Sequence, residues 1–166
     1  MAGCEGELGV IDTMSKAKVF GEGEGEWWRL LFHMYLHAGI LHMLFNVFAL
    51  LFAGKVVEKK IGSFLYFLLY HLIAVVNAII ICLIFPNNIS VGASAGIFGM
   101  IGIVCVMKWK KDVVCNENLK KGELIYIIVF SVLSLFLGLE SIITHLTAFV
   151  FGIIVGLLMQ KKTEME

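Results

Sequence analysis

The sequence predicts an all-α integral membrane protein, a polytopic helical bundle of about five spans. Three observations carry that expectation. Of the 166 residues, 60% are hydrophobic and only 16% are charged, whereas a soluble domain is closer to half apolar and a quarter charged. The mean hydropathy is +0.93. Uncharged runs recur at about 36–54, 63–85, 89–107, 124–139 and 141–159, near the ~20 residues that cross ~30 Å of hydrocarbon as helix. Open strands leave backbone groups unpaired in lipid, so these runs are helices. A length of 166 residues is expected to hold one such bundle without a second, soluble domain.

Residues 1–26 form a polar, acidic, glycine-rich tail (Gly21-Glu-Gly-Glu-Gly-Glu26) with no apolar stretch of signal or spanning length. Trp27-Trp28-Arg29 then opens the membrane domain, expected over 27–160, with an amphipathic stretch to about Tyr35. Indole rings beside an arginine suit headgroup depth. The fourth run is the shortest of the five. Residues 161–166 form a short tail.

Orientation follows from the lysines. Segments 55–62 and 108–123 and the C-terminal tail together hold ten of the thirteen Lys and Arg residues: Lys55, Lys59, Lys60, Lys108, Lys110, Lys111, Lys120, Lys121, Lys161 and Lys162. The positive-inside rule makes that side cytoplasmic, with the C-terminus inside and the acidic tail and Pro86-Asn87-Asn88 outside. A multi-pass protein of the bacterial plasma membrane is expected, with the lipid bilayer as its solvent and no nucleic-acid partner. Cys4, Cys82, Cys105 and Cys115 show no paired spacing, which argues against a disulfide framework or a metal knuckle.

Chemistry points to one stretch. Gly92-Ala-Ser-Ala-Gly96 places Ser94 in a G-x-S-x-G pattern near the outer end of the third run. Its small neighbours let another helix or a substrate backbone come close. Polar side chains inside the membrane are costly and mark function. His37, His42 and Asn46 crowd the first run, and His42 and Asn46, four apart, share a helix face. His145 opens the fifth run and heads a small-residue stripe, Ala148, Gly152 and Gly156, whose natural partner is the third run with Gly92, Gly96, Gly99 and Gly102. That contact would bring His145 beside Ser94, an activated nucleophile. His42 and Asn46 could then donate to a developing oxyanion. The aspartates, Asp12 and Asp112, lie far from this depth, and Glu140, five before His145, points elsewhere, so a dyad rather than a triad is expected. His71 and Asn77 of the second run read as hydrogen-bonding groups between helices.

Trp28-Arg29, His37-x4-His42-x3-Asn46, Gly92-x-Ser94 and His145, in that order and at these depths, resemble the rhomboid intramembrane serine proteases over roughly 27–160. The resemblance implies a rhomboid-type bundle with an outward-opening, water-filled cavity. It implies Ser94 as nucleophile, His145 as general base, and an oxyanion held by His42, Asn46 and the Ser94 N–H. Trp28 and Arg29 would belong to a loop lying partly in the membrane. The substrate would be a transmembrane protein cut in or near its membrane segment, with no metal or cofactor. The sequence departs from the family at Ala95 and Ala148, where glycine is usual. The family core also has six spans, with one before the Trp-Arg stretch that residues 1–26 cannot supply, so the chain is expected to be an incomplete version of that core. Two competing readings are a catalytically impaired rhomboid-like protein that binds membrane clients and a haem or metal bundle using His37, His42 and His71. The metalloprotease signature H-E-x-x-H is absent from the sequence.

Overall fold

In the computed structural model, which describes residues 28–85 and 92–165, all regular structure is helical. The acidic tail, Trp27 and the Pro86-Asn87-Asn88 loop lie outside those residues. The order is α1 (Arg29–Phe32), a 3-10 turn (His33–Tyr35), α2 (Ile40–Ile61), α3 (Ser63–Ile84), α4 (Ser94–Trp109), α5 (Val113–Asn118), α6 (Lys121–Ser134) and α7 (Leu139–Met165).

Three stretches are long and apolar enough to cross a bilayer, Ile40–Ile61, Ser63–Ile84 and Leu139–Lys161, while α4 is a shorter apolar helix. The expected connection over 55–62 is mostly helix. α2 continues to Ile61, and only Gly62 separates it from α3, at φ 83°. Glycine reaches that left-handed region without a Cβ penalty. Charge ended the apolar run before it ended the helix: lysines are good helix formers and sit well at a C-terminus. The helix of the third run, α4, likewise begins at Ser94 rather than near 89, and that of the fourth run, α6, stops at Ser134.

α4 is the central post. Twelve of its 16 residues are buried, which in lipid means covered by other helices. On one side it meets α7 backbone to backbone: a Cβ on Gly152 would overlap the Gly99 carbonyl, and one on Gly102 would overlap the Phe149 carbonyl. The small-residue stripe of α7 therefore does lie on α4. Gly96 and Gly92 are not part of that contact. A Cβ on Gly96 would strike the Tyr70 ring of α3, and Gly92 faces His42 of α2. A helix surrounded on all sides needs small residues on more than one face.

At the lysine-rich end, polar groups fasten the helices together. The Asp112 carboxylate accepts from Lys60 Nζ of α2 at 2.9 Å, Gln160 Nε2 of α7 at 3.0 Å and the Cys115 N–H of α5 at 3.3 Å. Lys55 pairs with Glu123 at 2.5 Å, joining α2 to α6, and Lys59 donates to Asn118. Burial alone would push the Asp112 carboxyl up, but these hydrogen bonds and the Lys60 charge outweigh it and hold the group below its ordinary value.

Candidate active site

Ser94 is the first residue of α4, so its hydroxyl sits where the chain turns from a loop into a helix. Gly92, two residues earlier, has φ 118°, a conformation that L side chains rarely adopt. Its N–H donates to the His33 carbonyl at 3.0 Å, pinning the approach to Ser94 onto the 3-10 turn. Tyr70 Oη donates to the Ala93 carbonyl at 3.4 Å. At 1.5 Å per residue, 16 residues give about 24 Å, short of ~30 Å of hydrocarbon. Measured from Trp109 at the lysine-rich end, α4 therefore stops short of a full crossing at Ser94.

The structure brings together the residues expected from sequence. His145 Nε2 lies 3.0 Å from Ser94 Oγ. The His145 ring is buried and stacks on Phe98, with centroids 4.2 Å apart and planes at 10°. Phe98 is a residue the sequence reading missed. Its signal was the i+4 spacing from Ser94, which puts both on one face of α4. Asn77, read as an interhelical hydrogen-bonding group, donates to the Thr144 carbonyl at 3.0 Å and to Thr147 Oγ1 at 2.6 Å, holding the turn of α7 that carries His145.

His42 and Asn46 converge on the Gly92 backbone. A methyl group at position 92 would sit 3.1 Å from His42 Cε1 and 3.7 Å from Asn46 Nδ2. Asn46 is 2% exposed, and neither its Nδ2 nor its Oδ1 has a hydrogen-bond partner among the described residues. Such a group costs about 1–3 kcal/mol and calls for an explanation. His37 packs edge-on against His42 at 5.3 Å. His71 is otherwise engaged, within 2.6 Å of Tyr35 Oη and 2.8 Å of the Phe67 carbonyl. Among the described residues no three His, Cys, Asp or Glu side chains gather as a metal site would need.

Trp28 and Arg29 stand at the entry to α1. Arg29 is buried, with its guanidinium 4.9 Å over the Trp28 ring. Beside His42, between α2 and α6, opens a cavity of about 580 Å³ lined by Leu41, Phe45, Tyr126, Phe130 and Leu133, among others. Serine, imidazole, an unsatisfied amide and an apolar cleft together can carry out nucleophilic attack on a carbonyl whose flanking chain is apolar.

Residues 24–162 match the family described as the Rhomboid domain. Bacillus subtilis (strain 168) YdcA is 29% identical over 147 residues, which cover 87% of this chain and 73% of that protein. The rhomboid protease GluP of the same organism is 46% identical over 79 residues, 48% of this chain but 15% of GluP. Rhomboid-like protease 1 of Toxoplasma gondii is 31% identical over 144 residues, 84% of this chain and 49% of that protein. Two of these three relatives are thus much longer than the region they share with this chain.

Proposed function

The chain belongs to the rhomboid family, and from that premise we propose that it is an intramembrane serine endopeptidase cutting transmembrane proteins in or near their membrane segments. The observation that carries this reading is the 3.0 Å approach of His145 Nε2 to Ser94 Oγ, at the start of the central helix. In this mechanism His145 takes the hydroxyl proton as Ser94 attacks the scissile carbonyl. The oxyanion of the tetrahedral intermediate is met by His42, Asn46 and the Ser94 backbone N–H. First-turn N–H groups of a helix have no intrahelical acceptor, and the helix N-terminus favours negative charge. The imidazolium then protonates the leaving amine. A water molecule, deprotonated by the same imidazole, releases the acyl group.

The cleft between α2 and α6 is the route by which an apolar segment would reach Ser94 from the side. Trp28 and Arg29 would shape the outer rim, with Gly92 letting the chain pass close to His42. No metal or cofactor enters this scheme.

The family is one of integral membrane proteins, and the chain carries several spanning helices. We place it in a bacterial plasma membrane with residues 27–160 as its membrane domain, the 1–26 tail outside and the 161–166 tail in the cytoplasm, on the strength of the lysine distribution. Cys115 is fully buried and cannot report on sidedness. The exposed Glu117 can: with Cys4, which this topology puts outside, replaced by serine, a Glu117→Cys protein in intact cells should resist an impermeant thiol reagent, and ready labelling would invert the topology. The function itself is tested by a fluorophosphonate probe and a transmembrane reporter substrate. Labelling and cleavage should both require Ser94. Undiminished labelling in Ser94→Ala removes it from the nucleophile role.

A further inference from the structure

A second cavity, about 450 Å³, lies on the other side of α6, between it and α4, toward the lysine-rich end. Above it the two helices meet through Phe98 and Phe130, ring centroids 5.6 Å apart. Below that contact they part. Ile101, Val104 and Cys105 of α4 face Leu124, Ile128 and Val132 of α6 across the gap. Ser131 also lines it, but its hydroxyl donates to the Ile127 carbonyl, so it brings no unmet polar group to the lining. A space walled in this way does not hold water well. It takes hydrocarbon.

The mouth has a different chemistry. Lys108 and the largely exposed Trp109 form the rim, and Lys110 Nζ lies 5.5 Å over the Trp109 ring. Lys108 Nζ donates to the Asn116 side-chain oxygen at 2.9 Å, a neutral partner. Segment 108–123 holds five lysines and three carboxylates. Two of those carboxylates, Asp112 and Glu123, pair with Lys60 and Lys55 of α2. The segment beside this apolar slot, whose rim carries an interfacial indole, is therefore net positive in sequence.

We propose that this slot binds one anionic phospholipid, an acyl chain lying between α4 and α6 and its phosphate against Lys108 and Lys110 beside Trp109. A basic pocket between membrane helices is a recognised setting for anionic headgroups. This inference rests on the fold and the charge pattern, independently of any catalytic role for Ser94.

The test is native mass spectrometry of the full chain in detergent, titrated with equal amounts of phosphatidylglycerol and phosphatidylcholine of identical acyl chains. The wild type should retain one phosphatidylglycerol, favoured by roughly fivefold per lysine engaged, from about 1 kcal/mol each. Lys108→Gln with Lys110→Gln should bring the two lipids near parity without changing thermal unfolding. Ser131→Phe, filling the slot, should remove the bound lipid. Should that variant melt early, the double lysine variant still decides. Equal retention of both lipids by the wild type, a preference that survives loss of both lysines, or a lipid undiminished in folded Ser131→Phe would overturn the proposal. So would a second copy of the chain retained in the lipid's place.

Discussion

The two ends of this bundle treat buried polar groups in opposite ways. At the lysine-rich end, Asp112 accepts three hydrogen bonds from three parts of the chain, and Lys55 and Glu123 close a second link. At the Ser94 end, the Asn46 amide is buried with neither atom paired among the described residues, and His37 Nε2 is in the same state. The first arrangement is what a fold needs in order to stay shut. The second is a cost that a fold would shed unless a visiting group, such as an oxyanion, completes it. On the function proposed above, the first set of residues serves cohesion and the second serves chemistry.

Four experiments sharpen or break that contrast. The largest effect should come from Ser94→Ala and His145→Ala, each lowering cleavage on the order of 10⁴-fold or more while thermal unfolding in detergent stays near wild type. A loss smaller than about tenfold in either protein would take that residue out of the chemistry.

Next, Asn46→Leu should cost on the order of 10²–10³-fold in kcat, with KM little changed. Its thermal stability should hold or rise, since a buried amide without partners is replaced by an apolar side chain of similar size. A clear drop in stability would mean that Asn46 belongs with the cohesive groups, and the contrast between the ends would fail.

The reverse is expected at the other end. Asp112→Ala should lower stability by about 3 kcal/mol, because it strands Lys60 and Gln160, yet leave fluorophosphonate labelling of Ser94 intact at a temperature where the protein is folded. Loss of labelling without unfolding would show that the two ends are coupled.

The smallest effect is one of pH. The folded Asp112 carboxyl is held below its ordinary value, so its stabilisation is fully present above the unfolded value of about 3.9. It is lost as pH falls through the lower, folded value. Wild-type stability should therefore decline on acidification below about pH 4 by more than that of Asp112→Asn. Parallel curves for the two proteins would discount the Asp112 cluster as a source of stability.

Much of this architecture was legible in the residues. Lysines marked the end where they now form ion pairs, and the Gly152 and Gly156 stripe identified α7 as the close neighbour of α4. The same stripe logic wrongly gave Gly96 to α7, when Tyr70 of α3 covers it. Phe98 went unnoticed because its i+4 spacing from Ser94 sets it on the serine's face without saying that the His145 ring stacks there. Asp112 was correctly set apart from the site, but its hub of three donors depends on Lys60 and Gln160, far away in the chain.

Legible along the chain was composition in one dimension: which stretches enter lipid, which end carries the lysines, and which polar residues lie at matching depths. Those follow from transfer of side chains between water and hydrocarbon, which each residue decides almost alone. The rotation of each helix about its axis came from packing in three dimensions. Lipid is as apolar as a helix interface, so hydrophobic periodicity gives no azimuth in a membrane. Packing supplies it, through backbone contact at Gly99 and Gly152 and through the stack of His145 on Phe98. That rotation is what turns a serine and a histidine 51 positions apart into a pair 3.0 Å from one another.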